Sequence, residues 1–206
     1  MSSTQKTDEE LVGSASRGDT DAFNTLVARW EVPIHALAYR VLGREEDARD
    51  VCQEAFLRAF RGLSRFKQQA KFSSWLYRIA LNLCNDRLRR ERRVGFVQPQ
   101  DNFESVDRAF VDPINETVED LFIRRELGRA VQQAMARLSP EQRTVIVLKE
   151  YHDLTFREIA ELVGCPLSTV KTRLYQGLSV LRKHLERNGV RAPLAARSGS
   201  ARAARE

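Results

Sequence analysis

Residues 155–185 constrain this chain more than any other stretch, because their spacing encodes two short helices joined by a tight turn. Thr155 is followed three residues later by Glu158. In such a pair the hydroxyl and the carboxylate each satisfy a backbone N–H left free at a helix start. The helix this opens runs through Val163 and meets Gly164, a residue type that readily takes the left-handed conformation that stops helices. Pro166 cannot continue that helix but can begin another. In the second helix Val170, Leu174, Leu178, Leu181 and Leu185 recur every three or four residues, which predicts one buried face. Ala160 is small enough for the helices to approach, Gly164 makes the turn, and Val170 locks the second helix on the first. The pattern is that of a helix-turn-helix. Outside the apolar face lie Thr169, Thr172, Arg173 and Gln176, with Lys171 at its edge. These side chains can donate to phosphates and base edges in a major groove, and arginine suits a two-bond contact to guanine worth ~1–3 kcal/mol of discrimination. The plainer reading is a helical hairpin with a solvated polar face.

The rest of the chain reads as helix too. Ser139-Pro140-Glu141-Gln142 is a helix start with a capping serine, a proline at the first position and a glutamine at the third. From Ala48, apolar residues recur at Cys52, Ala55, Phe56, Ala59, Phe60 and Leu63, one helix face. A further helix opens near Ser73 or Ser74 and turns Leu76, Ile79, Ala80 and Leu83 inward. No alternating strand pattern of useful length occurs, so the expected fold is all-α. Residues 94–114 contain two prolines and the acids Asp101, Glu104, Asp107 and Asp112 without a helical period, and read as a flexible acidic linker. Residues 188–206 are rich in Ala, Arg, Ser and Gly and read as a disordered tail. Two small helical domains remain, over 1–93 and 115–187, the second holding the helix-turn-helix.

The net charge of +6 favours polyanions, meaning nucleic acid or an anionic membrane. Residues 1–10 are polar and acidic, unlike a signal peptide, and no apolar run is long enough to span a bilayer. The expected location is cytoplasmic, without direct membrane insertion. Cys52, Cys84 and Cys165 lie far apart and outside any zinc-like spacing, so neither a disulfide nor a metal site is expected, and no cofactor. His35, His152 and His184 stand in no motif with a nucleophile or a metal partner, which argues against an enzyme.

Two faces in the first half differ in charge. Opposite the apolar side of the helix from Ala48 lie Asp47, Asp50, Glu54, Arg58 and Arg61, flanked by Gln53. On the residues alone this is a solvated face whose acids favour the helix N-terminus; it could also dock a basic protein surface. The following helix carries Arg78, Asn82, Asn85, Arg89 and Arg92 on one side, widened by Arg87, Arg90 and Arg93. Arginine and asparagine together can grip phosphate and read base edges. Before it come Phe66, Lys67, Lys71, Phe72 and Trp75, and aromatics beside cations suit unstacked bases. The same aromatics can equally fill the core.

These stretches together resemble a family. DARDVCQEAF at 47–56 resembles the polymerase-clamp-binding helix of bacterial sigma factors, and FSSWLYRIALN at 72–82 their promoter-melting and minus-ten segment. LSPEQR at 138–143, IAEL at 159–162 and CPLSTVKTRL at 165–174 resemble their minus-35-binding domain, and GDTDAF at 18–23 the start of their first conserved region. The nearest type is the extracytoplasmic-function, RpoE-like group, matched over about 8–185. The resemblance implies a transcription initiation factor that binds core RNA polymerase and directs it to promoters. It places Asp47, Asp50, Gln53, Glu54 and Phe56 on the polymerase clamp. It places Lys67, Lys71, Trp75, Arg78, Asn82, Asp86 and Arg89 at the minus-ten element, where the 66–72 loop cradles a base flipped from the single strand. It places Ser168, Thr169, Lys171, Thr172, Arg173 and Gln176 at the minus-35 duplex. It further implies that the linker threads toward the polymerase active-site channel and that an anti-sigma factor holds the protein inactive. Lys67 and Lys71 depart from the usual acid in the base-pocket loop and leave the preferred base open, and the tail has no counterpart. The rival readings are a one-component helix-turn-helix regulator, which binds an operator tightly by itself, and an RNA-binding protein.

Overall fold

A computed structural model describes residues 6–66, 71–94 and 118–190 of the chain. They form eight α-helices: α1 (Asp8–Ala15), α2 (Thr20–Leu42), α3 (Glu45–Gly62), α4 (Phe72–Val94), α5 (Val118–Ala136), α6 (Pro140–Glu150), α7 (Phe156–Val163) and α8 (Leu167–Arg187), with one 3-10 turn at Leu63–Arg65. No strand occurs among the described residues. The fold is all-α, in two helical units, the second of which contains the helix-turn-helix. Most of the expected linker and tail lies outside the described residues.

Local chemistry sets the helix ends. Thr7 and Glu10 form a reciprocal capping pair at α1, as do Ser139 and Gln142 at α6 and Thr155 and Glu158 at α7. Asp19 caps α2 by accepting from the Ala22 N–H. The α2–α3 turn rests on Gly43 (φ 81°) and the α7–α8 turn on Gly164 (φ 66°), both in the left-handed region that glycine enters at little steric cost. α3 has no side-chain cap; Glu45, Glu46 and Asp47 in its first turn face the positive end of the helix dipole instead.

In the first unit α2 packs along α3 and α4. Ala48, Ala55 and Ala59 of α3 are buried, and their small side chains let α2 come close enough for Leu26, Ile34, Leu37 and Val41 to be wholly covered. In the second, Val145, Val147 and Leu148 of α6 meet Ile159 of α7 and Val170 and Leu174 of α8. Leu178, expected inside, is 37% exposed, and Gly177 is buried in its place. A Cβ on Gly177 would stand 2.7 Å from the Ile146 δ-methyl, so its missing side chain is what brings α8 against α6. Phe60 likewise stays 54% exposed, resting edge-on against Phe23 at the end of α3. The buried apolar residues form one cluster across both units, because α2 also packs on α6 and α4 on α7.

Candidate nucleic-acid interface

The helix-turn-helix is built as its spacing predicts. α7 stops at Gly164, whose N–H bonds the Ala160 carbonyl, and α8 begins after Pro166. Ser168, Lys171, Thr172 and Gln176 are exposed on α8, and Thr169 and Arg173 are half-buried. The Thr172 hydroxyl donates to the Ser168 carbonyl at 2.9 Å. Arg173 Nη1 lies 3.6 Å from the Cys165 sulfur in the turn. The outer side of α8 thus carries hydroxyl, amide and cationic groups with their floor fixed by Val170 and Leu174.

The second polar face is on α4. Arg78, Asn82, Asn85, Arg89 and Arg92 are all exposed along it. Asp86 is half-buried, with a carboxylate oxygen 3.6 Å from Arg89 Nη1. At the N-terminal end Phe72 is buried and belongs to the core. Trp75 and Phe66 are half-buried and lie with ring centroids 4.7 Å apart. A Cβ on Gly62 would meet the Trp75 ring at 3.1 Å, so this glycine lets the indole lie flat against α3. The aromatics therefore divide: Phe72 holds the helix down, while Phe66 and Trp75 form a half-covered shelf beside exposed Lys71. Lys67 and the 67–70 loop lie outside the described residues.

The α3 face is different in kind. Asp47 is 7% exposed and sits between Arg44 and Arg87; Arg44 also reaches Glu91. Phe56 is buried as well. Neither can touch a partner across this face, so both drop out of the docking set and belong to the structure of the unit. A five-residue acidic stripe read from one helix could not reveal Arg44, Arg87 and Glu91 converging from other turns. One signal was present: Asp47, Val51 and Ala55 stand four apart, which places Asp47 on the apolar side. What remains outward is Asp50, bonded by Arg87 at 3.1 Å, Gln53, and Glu54, paired with Arg58 at 2.7 Å. With Leu57, Leu83, Asp86 and Arg90 they line a shallow groove of about 420 Å³ between α3 and α4. Leu57 is 49% exposed. The face is acidic with an apolar floor, a surface that repels phosphate.

The remaining titratable groups serve the packing. Burial pushes the Cys84 thiol up to about 12, and burial together with Glu31 pushes Cys52 up to about 11, so both stay protonated. Burial and the neighbouring Arg40 guanidinium push His152 down to about 4. Its neutral ring lies with Nδ1 3.0 Å from the Tyr77 hydroxyl, which donates to it. Among the described residues no group of His, Cys, Asp and Glu is placed to hold a metal ion, and no described helix is long and apolar enough to cross a membrane.

Residues 26–94 match the family model for Sigma-70 region 2, and residues 128–181 that for Sigma-70, region 4. The chain is 36% identical over 181 residues to the ECF RNA polymerase sigma factor SigW of Bacillus subtilis, spanning 86% of this chain and 96% of that one. It is 35% identical over 180 residues to the ECF RNA polymerase sigma-E factor of Escherichia coli, spanning 84% and 92%. The solved structure of CnrH in complex with the cytosolic domain of CnrY aligns with a TM-score of 0.62 at 26% identity, over 89% of this chain and 99% of that one. With both regions in order and its relatives matched nearly end to end, the chain belongs to the extracytoplasmic-function RNA polymerase sigma factors, which are transcription initiation factors and not enzymes.

Proposed function

We propose that this sigma factor divides promoter recognition among three of its faces. The α3 groove, through Asp50, Gln53, Glu54 and the exposed Leu57, docks on a basic and apolar surface of core polymerase. The α4 face, through Arg78, Asn82, Asp86 and Arg89, with Lys71 and the Trp75 shelf, takes the minus-ten element and its unstacked strand. The α8 face, through Ser168, Thr169, Lys171, Thr172, Arg173 and Gln176, reads the minus-35 duplex. The observation that carries this reading is the contrast on one unit between an acidic groove and a basic, amide-rich helix. A chain meant only to bind DNA has no use for the first. The two recognition units span about 1–93 and 115–187.

Each face alone makes few contacts. Tethered on the polymerase, the second DNA contact becomes intramolecular and gains from effective concentration. Capture of unstacked bases favours the melted strand, so opening draws on binding energy and needs no nucleotide hydrolysis. The protein works in the cytoplasm, and an anti-sigma factor controls it; CnrH, a structural relative, was solved with the cytosolic domain of CnrY.

Run-off transcription with bacterial core polymerase on a library of promoter fragments tests the reading. Defined transcripts that require the protein, and that share two spaced elements, are the expected result. Arg173→Ala should then lose about fivefold to 150-fold in minus-35 dependence, the equivalent of ~1–3 kcal/mol. No stimulation on any fragment, with tight binding of the isolated protein to a palindromic site, would overturn it in favour of a free-standing regulator.

A further inference from the structure

The two units do not merely coexist; the second lies across the nucleic-acid face of the first. At the start of α4, Arg78 Nη2 donates to the Glu161 carbonyl at 2.8 Å, and Lys71 Nζ lies 3.7 Å from Glu158. Ser74 and Trp75 share a cleft there with Glu158, Glu161 and Leu162 of α7. Further along, Asn85, Arg89 and Arg92 of α4 share a cleft of about 300 Å³ with Arg173 of α8. The side chains assigned above to two separate DNA elements therefore face the same small space. At about 3.4 Å per base pair, elements some 25 pairs apart lie ~85 Å from each other. No DNA can reach both faces while they share one cleft. A gap of that size also excludes a duplex from Arg173, since a helix entering a major groove needs a channel about 12 Å wide.

What joins the units lies away from both faces. The Arg143 guanidinium donates to the Val41 carbonyl at 2.9 Å while it also holds the Met135 and Ala136 carbonyls of its own unit. The Tyr77 hydroxyl meets His152 at 3.0 Å, with the two rings edge to face at 5.1 Å. Arg40 stacks on Tyr151 with its guanidinium carbon 4.2 Å from the ring centre. The apolar core is continuous beneath these contacts. The three arginines across the cleft, faced by Glu141 as its one carboxylate, repel one another. Closure is therefore carried by the contacts at Val41, Tyr77 and Arg40. Throughout, the outward acids of α3 and the half-exposed Leu57 stay clear of the second unit.

We propose that the free chain is self-occluded: the α6–α8 unit is latched over α4 by the Arg143–Val41, Tyr77–His152 and Arg40–Tyr151 contacts, while the α3 groove remains open. Polymerase can then engage the closed chain first, and DNA recognition follows only after the latch parts. The inference rests on the face assignments above and adds an order of events to them. A protein whose competent state is only fractionally populated binds with an affinity reduced by that fraction, so the latch lowers DNA binding by the free chain.

The test uses the full chain with Cys165→Ser and nitroxide labels at Asn24→Cys and Lys183→Cys, both on exposed positions of different units. Pulsed electron–electron resonance should give one narrow distance distribution. Tyr77→Phe with Arg40→Ala keeps the Tyr77 ring in the core and touches no proposed DNA contact. It should move at least half of that population to longer distances and tighten binding to a minus-35 duplex by about fivefold or more. A broad distribution in the unmutated latch would overturn the proposal whether or not the variant folds. Longer distances with unchanged duplex affinity would overturn it also, because the latch would then occlude nothing. The underlying reading is judged separately: run-off activity with a broad distribution removes the latch alone, and absent activity on every promoter removes the face assignments.

Discussion

The α7–α8 turn and the α3–α4 pair each carry a polar face over a buried apolar floor, but they are held by interactions of different range. In the turn, the Thr155–Glu158 cap, the left-handed Gly164 and the buried stripe from Val170 lie within a few residues of what they act on. In the α3–α4 pair, Asp47 is fixed by Arg44 and Arg87, and Arg44 by Glu91, groups up to 47 positions away in sequence (91 minus 44). Short-range chemistry can be read along a sequence. Pairing across helices has to wait until the helices are packed.

That difference accounts for what the residues revealed. The helix-turn-helix, the capping boxes at Ser139 and Thr155 and the all-α fold followed from spacing alone. The acidic stripe looked uniform, and the structure splits it into a buried Asp47 and outward Asp50 and Glu54. Leu178 kept the period of a buried residue, but Gly177 beside it lets α8 settle on Ile146 and rotates the leucine outward. No periodicity argument sees a backbone approach made by a missing side chain. Nor did spacing reveal that Arg143 reaches Val41, 102 residues away.

The largest expected effect asks whether short-range chemistry really holds the turn. Ile159 is fully buried between α6 and α8. Ile159→Ala should cost about 2–5 kcal/mol, from lost transfer energy and the cavity left behind. Chemical denaturation measures it. A loss no larger than that of a capping variant would mean that the helix ends, and not the core, set the stability of this unit.

Asp47→Ala tests the long-range side. It strips two arginines of a shared buried carboxylate, but Arg44 keeps Glu91 and Arg87 keeps Asp50. The expected cost is therefore ~1–3 kcal/mol, below the 3–5 typical of breaking an isolated buried pair. Thermal unfolding reports it. An unchanged melting temperature would return Asp47 to the surface set.

Thr155→Ala comes next, at about 1 kcal/mol for a lost N-cap. Its pH dependence is distinctive. The Thr155 backbone N–H, its hydroxyl and Lys71 hold the Glu158 carboxyl below the usual carboxylate range. A carboxyl lowered in the folded state stabilises the fold above its unfolded value, about 4.3, and that contribution is lost as pH falls through the lowered folded value. The wild type should lose stability across this acid window more steeply than the variant, which lacks the hydroxyl. Parallel pH profiles would mean the cap does not act through Glu158.

The smallest expected change in stability is the most telling for function. Asp50→Ala with Glu54→Ala removes two exposed carboxylates whose pairs with Arg87 and Arg58 lie in water, where such contacts are worth little. The fold should shift by less than about 0.5 kcal/mol. If the α3 groove meets a basic clamp surface, the same variant should co-purify poorly with core polymerase, and more so at low salt, where the wild-type attraction is strongest. Asp47→Ala gives the reverse pattern: a weaker fold, and polymerase binding kept wherever the chain is still folded. Two acids three residues apart on one helix would then be separated by role, one holding helices together and the other addressing a partner. Equal co-purification of the double variant and the wild type would take the docking role away from this face and leave its acids as solvated charge at a helix start.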